Sequence, residues 1–392
     1  MNAAELVISN TTTDRKTKKR PRIEHELELE AARSTLSHSR PVNAQGLPCL
    51  ADELYLEIMS YFPAYPMPTT HSYEDMKKYG YRRLVLDALS QTCQSLRRVF
   101  LRYRWQRIEV YPQMRLGSFR LPGIQYKNGK ATANTRYYAE ELVKQLETVT
   151  VREPALAELV NVMDIFVSDY SVKNVVKELA RCIALMPSLH TVQIHFDFSN
   201  TTGINRDIIT TAFESYTYPQ IQTAYLSVNA HSFLEHCPNV KVVNALRPLD
   251  VENQHWSYPG FSMGNFWEMA LRSGRSCSAV TTIGPIRTAA TAYSYYSCLA
   301  DIDESDLTAY ARLFEMIENL QNVAFLVDKP PSFSSMRALR DIPSLQTLRI
   351  IFCRPRRGDH ERLQEIKEWK MRMAELFITP SQCKMLSVTF TN

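Results

Sequence analysis

Apolar residues recur along this chain in two rhythms, and the change between them divides it. At residues 50–62 the apolar positions Leu54, Ile58, Tyr61 and Phe62 fall on one helical face, flanked by Leu50 and Leu56. That spacing predicts a short amphipathic helix. Pro63, Pro66 and Pro68 end it, because proline offers no amide hydrogen and clashes with the preceding turn. Leu84, Leu86, Leu89, Cys93, Leu96 and Phe100 then trace a second helix or helix pair.

From Trp105 the rhythm changes to two apolar residues at alternate positions, preceded by a third one three residues upstream. Leu189, Val192 and Ile194 lead to Asp197; Ile221, Ala224 and Leu226 to Asn229; Leu320, Val323 and Phe325 to Asp328; Leu345, Leu348 and Ile350 to Cys353. Weaker copies start at Trp105, Leu146, Val240, Val280 and Cys383. Each reads as a strand with alternate side chains in a shared core, followed by a small polar residue that turns the chain. Between the strands lie helical stripes: Val172, Val175, Val176, Leu179, Ala180 and Ile183 behind Ser171; Leu307, Tyr310, Phe314 and Ile317; Leu363, Ile366, Met373 and Phe377. Met186-Pro187, Cys237-Pro238 and Ile342-Pro343 mark turns from helix to strand. This is the leucine-rich pattern with an uneven period. Gly203, residues 256–264 and residues 285–296 read as insertions. The expected architecture for 105–392 is an irregular α/β solenoid, a parallel sheet on one side and helices on the other.

Residues 1–45 are poor in aromatics and rich in Thr, Ser, Arg and Glu, so they read as a disordered tail. Within them Arg15, Lys16, Lys18, Lys19, Arg20 and Arg22 form a basic cluster suited to the acidic groove of a nuclear import receptor, or to phosphates. A nuclear or cytoplasmic protein is expected.

The helical stretch carries a resemblance. Leu47-Pro48, then Leu50, Asp52, Glu53, Leu54, Leu56 and Ile58, then Phe62, then Leu89, Cys93, Leu96, Arg97, Arg98 and Trp105, together resemble an F-box, and in particular the fungal F-box proteins. Ala51 stands where proline is usual, and residues 64–81 form an inserted loop. The resemblance implies a three-helix unit at 46–104 that docks the Skp-family adaptor of a cullin–RING ubiquitin ligase. Leu47, Pro48, Leu50, Leu54, Ile58 and Phe62 would be the adaptor contacts, burying a helix face in a partner groove. The repeat domain would then hold an unidentified target protein, with His190, Gln193, Gln222, Tyr225, Gln346 and Arg349 as the positions to inspect. A leucine-rich scaffold working without a cullin is the alternative.

Composition narrows the remaining classes. Charged residues make up 22% and hydrophobic residues 45%, the profile of a globular chain. No apolar run reaches the roughly 20 residues of a membrane span, and no membrane partner is expected. The eight cysteines are scattered without a C-x-x-C pair, so neither a zinc site nor a disulfide framework is expected. No phosphate loop, dinucleotide fingerprint, serine elbow or zinc-protease motif occurs. His190 and His195, like His231 and His236, are five apart, which misses the one-turn spacing that puts two ligands on one helix face. The chain is therefore expected to be no enzyme and to carry no cofactor. Arg97, Arg98, Arg102, Arg104 and Arg107 interleave with Phe100, Tyr103 and Trp105 in a pattern that could stack on bases. The net charge of +5 is small for this length. The arginines are better read as covering the join between the helices and the repeats, with their stems on apolar surface.

Overall fold

The computed structural model describes residues 46–47, 50–61, 81–111, 115–116, 119–120, 126–127, 130–131, 135–168, 170–197, 203–246, 279–287, 310–311, 314–315, 317–327, 330–352, 360–377 and 385–390. The chain forms two compact units, Met1–Leu54 and Tyr55–Asn392, and their boundary falls inside the first helix. The basic cluster at 15–22, Pro48, Phe62 and most of the 64–81 insertion lie outside the described residues.

The first helix, α1, spans Asp52–Ser60. In the larger unit, α2 (Tyr81–Thr92) and α3 (Gln94–Trp105) follow. They are two helices because Cys93 is extended (φ −157°, ψ 168°) and interrupts the ladder. Leu86, Leu96 and Phe100 are buried. Trp105, expected to open a strand, instead closes α3, and the strand begins two residues later.

The rest is α/β. Nine strands form one sheet: β1 (Arg107–Val110), β2 (Val162–Ser168), β3 (Thr191–Asp197), β4 (Thr223–Leu226), β5 (Val242–Ala245), β6 (Thr282–Arg287), β7 (Asn322–Val327), β8 (Thr347–Phe352) and β9 (Met385–Phe390). They are ordered as in the chain, and every neighbouring pair is parallel. Parallel neighbours need a crossover. Helix α4 (Thr135–Glu147) joins β1 to β2, α5 (Val172–Ala184) joins β2 to β3, and α6 (Gly203–Phe213) joins β3 to β4. A 3-10 segment, Val228–His236, joins β4 to β5, while α7 (Phe333–Arg340) and α8 (His360–Phe377) lead into β8 and β9.

The register explains why the apolar alternation was so regular. Ile108, Met163, Val192, Ala224, Val243, Ile283, Val323, Leu348 and Leu386 are successive lateral partners across all nine strands. All but Leu386 are buried, in one cluster with the stripe of α5. Fully burying such a side chain contributes roughly 1.5–3 kcal/mol. One stacked row therefore rivals the net stability of a domain before entropy is subtracted.

The unit repeats at its turns as well. Leu189, Ile221, Val240, Leu320 and Leu345 each donate a backbone bond to the residue three before, namely Met186, Tyr218, Cys237, Ile317 and Ile342. The proline in Met-Pro, Cys-Pro and Ile-Pro occupies the second position of that turn, where its fixed φ fits. Neighbouring units are tied by side chains: Gln220 Nε2 donates to the Ile183 carbonyl at the end of α5 (2.9 Å), and Asn239 Nδ2 to the Pro219 carbonyl (2.8 Å).

Three local expectations fail. The segment from Leu146 is not a strand: α4 runs through it into a π-helical turn, Thr148–Arg152. Leu146 and Val149 are both fully buried, and a spacing of three is as apt for a helix face as for the repeat pattern. Strand β2 comes later, in the almost continuous apolar run Val162–Ser168, where alternation is hidden because both faces are buried. Gly203 begins α6 and residues 285–287 belong to β6, so neither is an inserted loop; residues 256–264 and 288–296 lie outside the described residues. The asparagine after β4 acts across strands instead of turning its own backbone. Asn229 Nδ2 donates to the Phe196 carbonyl (3.4 Å), while the Ser227 hydroxyl accepts from the Phe196 amide (2.9 Å).

Candidate docking surfaces and the buried ionic join

Three places carry polar or apolar groups that the core does not explain. In the Met1–Leu54 unit, Leu47 and Leu54 are exposed at 39% and 49%, and Leu50 is half-buried, its amide bonded to the Leu47 carbonyl (3.2 Å). In the Tyr55–Asn392 unit, Leu56 is 53% exposed and Tyr61 74%, with Ile58 half-buried. The residue of α1 that does enter a core is Tyr55, whose ring meets Phe100 edge-on at 5.3 Å. The leucine count had hidden it. Leu54 and Leu56 are thus large apolar side chains of α1 that face water instead of a core.

The second place is the join between α2–α3 and the start of the sheet. Arg83 donates to the Glu141 carboxylate (2.7 Å) and to the Glu109 carbonyl (3.0 Å). Arg104 pairs with Asp87, and its guanidinium lies 4.3 Å above the Trp105 ring. Arg107 pairs with Glu109 (2.6 Å), and Arg82 donates to the Tyr103 carbonyl (3.3 Å). Gln145 of α4 donates to the Glu109 carbonyl (2.9 Å), accepts from the Glu109 amide (3.3 Å), and donates to Glu141 (2.8 Å). Burial and the neighbouring Arg104 push Arg83 down to about 10, against the pull of Glu141. Burial works to raise the Glu109 carboxyl, yet Arg107 and Arg82 hold it below the usual carboxylate range. Of the five arginines noted in the sequence, Arg104 and Arg107 are committed to this join. Arg97, Arg98 and Arg102 are exposed, with Arg97 3.6 Å from Glu153.

The third place is the sheet face opposite the apolar row. There Glu109, Asp164, Gln193, Tyr225 and Asn244 are lateral partners across β1 to β5. Asp164 is 1% exposed and its Oδ2 has no partner among the described residues, like the Oε1 of Gln193 and the hydroxyl of Ser168. Burial raises the Asp164 carboxyl to about 7, with Glu109 adding to the rise and Arg107 opposing it. His195 stacks on Phe166 (5.2 Å, 19°), and burial lowers it to about 4. Gln193 is 8% exposed, so this candidate target contact is withdrawn from solvent. The sequence could place it off the apolar row, but alternation does not reveal whether that second face is covered. His190, Gln222, Gln346 and Arg349 are exposed, and Tyr225 is half-buried. The first three lie at the mouth of the strands, where the carbonyls of His190, Gln222 and Gln346 accept the first bonds of the next strand.

Among the described residues no group of histidine, cysteine and carboxylate side chains is arranged to hold a metal ion. No described helix is long and apolar enough to cross a membrane. Compared with known proteins, the chain matches no protein-family model and no curated sequence.

Proposed function

We propose that this chain is the target-binding subunit of a cullin–RING ubiquitin ligase. The helices α1 to α3 act as an F-box that docks a Skp-family adaptor, and the sheet domain acts as a degenerate leucine-rich-repeat array that holds the target. The observation that carries this reading is the exposure of Leu54 and Leu56 on α1, large apolar side chains without a core of their own. The sequential parallel order of the nine strands supports the repeat-array part. The ionic join supports it too, since a receptor that presents a target to a conjugating enzyme works through a fixed geometry and a raised effective concentration. No bond is made or broken by this subunit in that role.

A nucleic-acid reading gains less support, because Arg104 and Arg107 are already neutralised by Asp87 and Glu109. The Leu54→Asp, Ile58→Asp double variant tests the proposal. Pull-down of the wild-type chain from a reconstituted mixture of adaptor and cullin is expected to retain both, and the variant to lose both while its melting temperature holds. A wild-type chain that retains neither overturns the ligase reading and leaves the scaffold without a cullin.

A further inference from the structure

The two edges of the sheet differ in a way that points to a partner. At β1 the outward amide and carbonyl of Glu109 are taken up by the carboxamide of Gln145, with Arg83 as a second donor to the carbonyl. That edge is closed to another strand. At β9 the Met385 amide donates inward to the Gln346 carbonyl (2.8 Å). In a parallel ladder the groups alternate, so those of Leu386, Val388 and residue 390 point away from the sheet. No described side chain bonds to them. Nor does β9 carry the usual protections of an exposed edge, which are charges, proline or a bulge. Its sequence, MLSVTF, is uncharged, and it pairs with β8 over six residues without a register shift.

The side chains of β9 are also incompletely covered. Leu348 and Ile350 of β8 are 1% and 0% exposed, but their lateral partners Leu386 and Val388 on β9 are only half-buried against the same core. On the opposite face the Thr389 hydroxyl is buried and has no partner among the described residues. A neighbouring strand would complete both faces.

We infer that the outer edge of β9 is the interface of a two-fold homodimer, in which β9 pairs antiparallel with β9 of a second copy. The strand is self-complementary in the register that keeps faces matched and pairs all three outward residues. With Val388 opposite its own counterpart, Leu386 stands opposite residue 390, and every outward backbone group finds a partner. The apolar face of one copy continues into that of the other, and Thr389 falls opposite Ser387, a pair that can share a hydrogen bond across strands. A shift by one residue would set apolar positions against polar ones. The absence of charge matters equally, because two copies of a charged strand would repel at this distance. This inference does not depend on the ligase reading.

The test is light scattering and sedimentation of the full chain over a concentration series, expected to give twice the 45.2 kDa of one chain. Val388→Pro removes an outward amide and leaves the β8 ladder intact, so it is expected to give the monomer mass with an unchanged melting temperature. Should that variant fail to fold, Ser387→Lys places like charges near the axis on the face opposite the apolar row and is expected to do the same. Val388→Cys is expected to form a disulfide-linked dimer under mild oxidation that the wild type does not, since directly paired residues sit at about 5.5 Å, within disulfide reach. A wild type that stays monomeric throughout, a dimer that survives both disrupting variants, or an edge that binds another protein's extended segment while the chain stays monomeric overturns it.

Discussion

The sheet begins and ends on different chemistry. Its first strand is sealed by arginine, glutamate and glutamine from two other elements, α2 and α4, and its last offers only apolar and hydroxyl side chains. Both solve the same problem, that an edge strand leaves amides and carbonyls unpaired. The β1 end solves it internally, through a carboxamide that imitates a peptide group. That seal also anchors α2 and α3, because Arg83 of α2 reaches Glu141 of α4 and the backbone of β1 together. Buried ionic networks seldom add much stability over apolar packing, but they fix one arrangement, since each member is costly when left alone. The β9 end keeps nothing ionisable in its strand. One edge of the sheet is thus sealed, and at the other no described side chain takes up the outward backbone groups.

Breaking the lock at its centre gives the largest expected effect. Arg83→Met leaves the buried Glu141 carboxylate without its cation and removes one donor to the Glu109 carbonyl. Loss of one partner from such a pair costs about 3–5 kcal/mol, read as a lowered urea midpoint at pH 7. Arg83→Lys is expected to recover only part of this, because an ammonium cannot reproduce the planar fork that bonds carboxylate and carbonyl together. A midpoint within experimental error of wild type for Arg83→Met would mean that the helices are held by apolar packing alone.

Much of the open end was legible in the sequence, and almost none of the lock. Leu345, Leu348 and Ile350 announce β8 because an apolar residue at alternate positions has one economical use, a strand with one buried face. The stripe on α5 was equally plain, and all six of its residues are buried. Arg83, Glu109, Glu141 and Gln145, by contrast, read one at a time as surface residues, since charged and amide side chains are mostly exposed. Their meaning lies in pairing: Arg83 and Glu141 are 58 residues apart, Gln145 and Glu109 36 apart. No local pattern encodes a contact of that range. Tyr55 was missed for a related reason. Its neighbours Leu54 and Leu56 outrank it as hydrophobes, yet the tyrosine is the side chain that packs.

A smaller perturbation separates the edge seal from the ionic anchor. Gln145→Leu keeps the Arg83–Glu141 pair but strips the Glu109 amide of its acceptor and leaves the carbonyl with Arg83 alone. The expected cost is about 2 kcal/mol, typical of buried backbone groups losing a partner. Hydrogen exchange at the Glu109 amide should speed up by the corresponding factor, while amides of β8 stay as slow as before. Uniform acceleration across the sheet would show instead that Gln145 matters for global stability and not for the edge.

The effect most specific to the locked end, and small in the wild type because two slopes oppose each other, is in the pH dependence of stability. Asp164, beside Glu109, has its folded value raised from 3.8 to about 7 by burial. The folded state therefore holds a proton that the unfolded state has lost, and the stability this confers is full below pH 3.8 and gone once pH has risen through 7. His195 works in the opposite sense. Burial lowers it from 6.5 to about 4, so its contribution is full above pH 6.5 and is lost as pH falls through 4. Between pH 4 and 6.5 the two slopes oppose each other, and wild-type stability is expected to change little there. Asp164→Asn removes one slope and should leave stability that climbs with pH over that window, by about 1 kcal/mol or more per pH unit near its middle, the limit for one proton being about 1.4. His195→Gln should leave the mirror image, stability that falls from pH 4 to 7. Denaturation midpoints at half-unit pH steps would resolve both. A variant of either kind whose profile parallels wild type would mean that the group it replaces is solvated in the folded state, and that the sheet face around Asp164 is open to water.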